Sequence, residues 1–133
     1  MERAVEWLVA VSAAVVGLSH LLRPGVWAEA FRQLHRLGLP GAFVNGAMSL
    51  VPGAAVVAGH GSWAWPGGVL TAFGWLLIAK AAVCFLAPDL ALRSMERGGR
   101  SPRAFVAAGL LLLAIAGWAC YCLWRRATDA EPS

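Results

Sequence analysis

The chain has little charge. Of its 133 residues only 14% are Asp, Glu, Lys or Arg, where an ordinary soluble domain carries roughly 25%. There are seven acids, and lysine occurs once, at Lys80; the other ten basic residues are arginines. Three cysteines form no framework. Cys84 stands alone in an apolar run, and Cys120 and Cys122 point about 200° apart on a helix, too divergent to bridge locally. No CxxC or Cys/His spacing suggests zinc or a haem attachment. A Walker loop, GxSxG, HExxH and paired carboxylates are missing as well. Enzyme is therefore the least supported class, with no catalytic or metal-binding residue to assign and no cofactor to name.

What the chain has instead is apolar length. Hydrophobic residues make up 59% and the mean hydropathy is +0.66. A water-soluble core this small has no room for so much apolar surface, so the chain reads as an all-α, polytopic membrane protein. The net charge of +4 would suit nucleic acid in a soluble domain. Here the arginines flank apolar runs, where they set orientation and meet anionic lipid, so the lipid bilayer is the expected partner and nucleic acid is not.

About 20 residues cross the hydrocarbon, and four stretches qualify: about 7–22, 42–59, 68–87 and 104–124. The first has Glu2 and Glu6 beside Arg3 and no small-x-small cleavage site, so it is read as a retained span and not a signal peptide. Residues 1–126 then form one four-helix transmembrane domain in two hairpins, and 127–133 a disordered polar tail. Arg23, Arg32 and Arg36 lie in the first connection, and Arg93, Arg97, Arg100 and Arg103 in the third. Arg3, Arg125 and Arg126 lie on the other side. The positive-inside rule then puts both termini outside the cytoplasm, in a bacterial inner membrane.

The first connection is more than a loop. Val26, Trp27, Ala30, Phe31, Leu34 and Leu37 fall on one helical stripe, with Glu29, Arg32, Gln33 and Arg36 opposite. A basic amphipathic helix over about 26–37 belongs at the membrane interface, either as a docking or lipid-sensing element or as a lid on its own bundle. The third connection suggests a shorter helix, capped by Asp89 and stopping before Gly98-Gly99. The segments closing the first and third spans, His20–Pro24 and Cys84–Pro88, share a Leu and a Pro at matching offsets, which raises a duplication with its axis along the membrane normal. Trp7, Trp27, Trp63, Trp65 and Trp124 read as interfacial anchors.

Few polar residues fall within the spans, and none of the acids. Lys80 lies past the middle of the third span, where an ionised lysine costs on the order of 2.5–3.5 kcal/mol. It either snorkels to the headgroups or finds a polar partner. Ser19, His20, Asn45 and Ser49 lie at its depth, as packing glue between helices or as a small anion or proton site. Glu6, Ala13, Gly17 and His20 share one face of the first helix. His60 lies a membrane thickness from His20, which disfavours a shared metal or haem. Pro52-Gly53 is expected to kink the second span.

Gly17, Ser19, His20 and Pro24 at the close of the first span, His60 and Trp63 in the outer turn, and Gly74, Trp75, Lys80 and Pro88 in the third span form a loose motif set. It resembles small uncharacterised bacterial integral membrane proteins, DoxX-like in outline. Some DoxX-like proteins are associated with redox or thiol metabolism, and the resemblance implies that setting here. The residues themselves favour a non-enzymatic accessory or assembly subunit, or a self-associating helical unit. Alternatives are a small-solute or proton-linked transporter working as an oligomer, and a redox protein with a quinone near His20 and Lys80.

Overall fold

The structure, a computed structural model, describes residues 1–130. It contains six helices in chain order: α1 (Glu2–Leu22), α2 (Pro24–Arg36), α3 (Leu39–Gly59), α4 (Gly68–Leu86), α5 (Pro88–Arg100) and α6 (Pro102–Asp129). Four of them, α1, α3, α4 and α6, are long and apolar enough to cross a membrane. Chain termini and the α3–α4 turn share one end of the bundle, called here the terminal end. The opposite end holds α2 and α5 and is rich in arginine.

Each apolar run proves to be the middle of a longer helix. α1 starts at Glu2, not near Trp7, and α6 continues to Asp129. Three residues of the expected disordered tail are thus helical, and 131–133 lie outside the described residues. Hydropathy marks only the part of a helix that meets lipid, whereas backbone hydrogen bonding continues into the wet turns at either end. α3 likewise runs through Pro52 as one helix.

The two halves repeat one plan. α1 and α4 end at Leu22 and Leu86, and the next residues, Arg23 and Ala87, share φ −135° with ψ of 54° and 63°. Pro24 and Pro88 then open α2 and α5, each of 13 residues; proline suits a first helical turn, where no amide partner is lost. The packing repeats as well. α1 lies along α6 just as α4 lies along α3, while α2 and α5 pack on each other. Connectivity is that of two hairpins, but the closest neighbours are α1 with α6 and α3 with α4.

Glycine sets the spacing within each pair. A Cβ on Gly109 of α6 would stand 2.8 Å from the Gly17 carbonyl and 2.9 Å from the His20 Cβ of α1. At the matching place in the other pair, a Cβ on Gly46 of α3 would stand 2.9 Å from the Cys84 Cβ of α4. Gly53 and Gly74 form a second crossing, 2.9 Å from such a Cβ to the Gly74 carbonyl. Small residues let helix backbones touch in lipid, where no hydrophobic effect drives them together. Near the terminal end Val5, Val9, Ala10, Val56, Leu70, Ala116 and Ala119 fill the space between the pairs.

The middle of the α2 stripe faces its own bundle, the lid arrangement: Trp27 stacks on His20, and Phe31 meets Phe105 of α6 edge-on at 5.1 Å between centroids, while Val26 and Leu37 at its two ends are exposed. α5 does not stop before Gly98-Gly99 but runs through them to Arg100. The glycines are a packing surface and not a terminator: a Cβ on Gly99 would lie 2.6 Å from Arg32 Cγ, and Arg32 Nη1 donates to the Gly99 carbonyl at 2.7 Å. Arg32 also donates through Nε to Glu29 Oε2 at 2.8 Å; this hydrogen bond first, and that from Gln33 Nε2 at 3.4 Å, hold the Glu29 carboxyl below its ordinary pKa.

Two outcomes follow. Gly109→Ala should destabilise the bundle by about 1–3 kcal/mol through overpacking, while Gly117→Ala, with nothing near its added methyl, should be neutral or mildly stabilising; unfolding in mixed micelles checks both. A depressed carboxylate contributes when ionised and ceases to contribute as pH falls through its folded value. A spin label on exposed Val26 of α2 should therefore gain mobility as pH falls below the ordinary carboxylate range, and a Glu29→Gln chain should show no such step.

Candidate functional site

Lys80 makes the internal contact. Its Nζ donates to Ser49 Oγ at 2.9 Å and to Asn45 Oδ1 at 3.2 Å. Asn45 and Ser49 lie one turn apart on the buried face of α3, 4% exposed each, so the i, i+4 spacing aims two neutral acceptors at α4. The lysine itself is not enclosed. Its residue is exposed on the outer flank of the α3–α4 pair, and only the ammonium bends back. No carboxylate reaches it among the described residues.

Ser19 and His20 do not join this group. They belong to the other helix pair, at the arginine-rich end. His20 Nδ1 bonds the Val16 carbonyl at 2.8 Å, and its ring stacks on Trp27 at 4.0 Å between centroids. Trp27 Nε1 donates to Ser19 Oγ at 2.9 Å. Trp27 is thus a strut tying α2 to α1 and not the interfacial anchor expected from its place on the stripe. An indole on a helix that lies over a bundle can turn inward once a hydroxyl is available to its N–H. Trp7, Trp63, Trp65 and Trp124 are each more than half exposed at the terminal end.

A second polar cluster, at the terminal end, has no counterpart in the sequence reading. Glu6, expected outside the first span, is fully buried within α1, and His60 is fully buried at the end of α3. His60 Nε2 faces Glu6 Oε1 at 3.2 Å, and Nδ1 faces Thr71 Oγ1 at 3.1 Å. Arg126 of α6 donates through Nε to the same Glu6 oxygen at 2.8 Å and through Nη2 to Glu2 Oε2 at 2.5 Å. Four chain segments meet here. Glu6 and Arg126 are 120 residues apart, and the cue is limited to a Glu on the buried stripe of α1 and a lone His at a helix end.

Thr71 Oγ1 lies 2.8 Å from the His60 carbonyl and 2.7 Å from that of Ser62, and its single proton serves one of them. The donor and acceptor roles of the two His60 nitrogens toward Thr71 and Glu6 depend on the tautomer. An acid, an imidazole and a hydroxyl are the residue types of a nucleophilic triad, but here the hydroxyl is tied to backbone carbonyls and is 1% exposed.

Beside this network opens a cleft of about 270 Å³, lined by Glu2, Glu6, Trp65, Arg125, Arg126 and Asp129 among others. The second oxygen of Glu6, Oε2, is buried with no hydrogen-bond partner among the described residues. Gly67 forms part of the wall, and a Cβ there would stand 2.8 Å from His60 Cε1. Trp118 Nε1 fixes the wall further by donating to the Pro66 carbonyl at 3.0 Å.

The repeated plan shows what the packing alone requires. With the two halves aligned on Leu22 and Leu86, and on Gly46 and Gly109, Lys80 corresponds to Val16, Asn45 to Ala108 and Glu6 to Leu70. Val16 is exposed and Leu70 fully buried, matching Lys80 and Glu6 in placement though not in chemistry. Apolar residues stand at both places in the other half, so the packing plan itself is met there without a polar group. No metal-holding group of His, Cys, Asp and Glu occurs among the described residues, and the three cysteines are free. No family model, curated protein or solved structure matches the chain.

The buried network makes a sharp stability prediction. Thr71→Val leaves His60 Nδ1 and the facing carbonyls short of a partner, and should cost about 1–3 kcal/mol. Thr71→Ser, which keeps the hydroxyl, should retain most of that. Denaturation of both variants in one detergent decides between them.

Proposed function

We propose that the protein is a non-enzymatic accessory or assembly subunit of a bacterial inner membrane, which docks another transmembrane chain against the α3–α4 flank at Lys80. Both termini lie outside the cytoplasm in this reading, and the arginine-rich end with α2 and α5 lies inside.

The observation that carries it is the exposure of Lys80 at membrane depth. An ammonium has three protons to donate, and Asn45 and Ser49 take two. Helix rise puts Lys80 about 9 Å from the end of α4, and its head turns sideways to α3 instead of reaching for the headgroups. Among the described residues the chain's own acids lie elsewhere: Glu29, Asp89 and Glu96 on the surface helices, Glu2, Glu6 and Asp129 at the terminal end. A neighbouring helix with a carboxylate at this depth satisfies the remaining proton and the charge together.

Self-association about a twofold through this flank would set Lys80 against Lys80, so the favoured partner is a different chain. A solute path through one copy finds little support, because the helix pairs close at glycine. His20 and Lys80 sit in separate helix pairs, which removes the motive for a quinone between them.

A photo-crosslinker at Leu76, one turn from Lys80, should capture one membrane polypeptide in intact cells. Lys80→Leu should abolish that crosslink while changing stability by no more than about 1–2 kcal/mol, since the lost contacts are offset by removal of the charge. Lys80→Arg should not restore it, because a planar fork does not replace a compact ammonium between two close acceptors. An undiminished crosslink in the Leu variant would end this reading. For orientation, a reporter active only in the cytoplasm should be silent when fused after Ser133; activity there would reverse the topology.

A further inference from the structure

We propose that the cleft at the terminal end binds a primary ammonium carried beside a phosphate, the headgroup chemistry of an ethanolamine phospholipid. Four observations converge on this chemistry. First, Glu6 Oε2 is buried and unpartnered although Glu6 lines the cleft. A buried carboxylate oxygen without a donor is costly, and the missing group must supply an N–H or O–H. A carboxylate accepts up to about four hydrogen bonds, so Arg126 and His60 keep Oε1 while a new donor takes Oε2, which requires the cleft wall over the fully buried Glu6 to shift.

Second, the lining carries both signs of charge. Glu2, Glu6 and Asp129 stand with Arg125 and Arg126 around one opening. A simple cation would meet the arginines and a simple anion the carboxylates, each at a cost. A short zwitterion meets both, with the ammonium toward Glu6 and the phosphate toward Arg125, since Arg126 already donates to Glu6 and Glu2.

Third, the depth is right. Exposed Trp7, Trp63, Trp65 and Trp124 mark this end as the headgroup layer, where phospholipid is the most abundant ligand. Fourth, the fold does not need the charge. Leu70 occupies the place corresponding to Glu6 in the other half and is fully buried. The cluster is therefore an addition to the scaffold, and its orphan oxygen marks where the addition is incomplete.

The recognition element is the N–H, which separates this site from a general preference for zwitterionic lipid. Ethanolamine, N-methylethanolamine and N,N-dimethylethanolamine headgroups each keep an N–H; choline keeps none. The full chain, reconstituted in nanodiscs of an inert background lipid, is supplied with each of the four in turn, and co-retained lipid is counted by native mass spectrometry. The first three should be retained about tenfold or more over choline, the worth of one hydrogen bond to a charged group. Glu6→Gln should remove the step, because the amide turns its own N–H toward the ligand. Should that variant fail to fold, the four-lipid series on the wild-type chain still decides. Equal retention of choline and ethanolamine lipids, or a smooth decline with each methyl, overturns the proposal. Soluble phosphoethanolamine tests the source: competition at millimolar concentration places recognition in the headgroup alone, and its absence assigns it to the anchored lipid.

Discussion

The structure depends on backbones that touch. In hydrocarbon, apolar side chains gain nothing by leaving lipid for one another, so helices hold together through close van der Waals contact and a few hydrogen bonds. Gly17 with Gly109, and Gly53 with Gly74, bring α1 onto α6 and α3 onto α4 to within a carbonyl's distance of a missing methyl. Everything else is arranged around those two crossings. Alanines with Val5, Val9, Val56 and Leu70 fill what remains between the pairs, while many other Leu, Val and Trp side chains are exposed on the outside of the bundle.

On that scaffold sit two polar clusters that differ in what they ask of their surroundings. The Lys80 cluster is open, with a charge on the outer flank and only neutral acceptors behind it. The Glu6–His60–Thr71–Arg126 cluster is closed, with nearly every donor and acceptor matched and one oxygen left over. In the readings proposed above, the open cluster receives another chain and the closed one a small donor. Both lie at positions where the other half of the repeat places an apolar residue.

Much of the fold was legible in sequence because the bilayer acts as a simple solvent. Apolar length gave the four spans, and the stripe from Val26 to Leu37 gave α2. Proline at matching offsets hinted at the repeat, though its proof lies in the equal caps at Arg23 and Ala87 and the paired contacts of Gly46 and Gly109. Asn45 and Ser49 could be matched to Lys80 from depth. Ser19 and His20 share that depth, but depth says nothing of position around the bundle, and they belong to the other pair. Trp27 misled because a stripe shows which face is apolar and not what covers it. Glu6 escaped for a physical reason: hydropathy ends a span at the first charge, yet an acid one turn further in remains buried when an arginine from the far end of the chain covers it.

The central claim is that the polar clusters are added to a scaffold that does not require them. It is tested most directly by giving the Lys80 site the residues of the other half. Lys80→Val with Asn45→Ala copies Val16 and Ala108 and leaves Ser49 bonded to the carbonyl of residue 45. Unfolding free energy of this double variant in lipid should equal or exceed that of the parent. A loss of several kcal/mol would mean that the cluster holds the helices together, and would contradict the account.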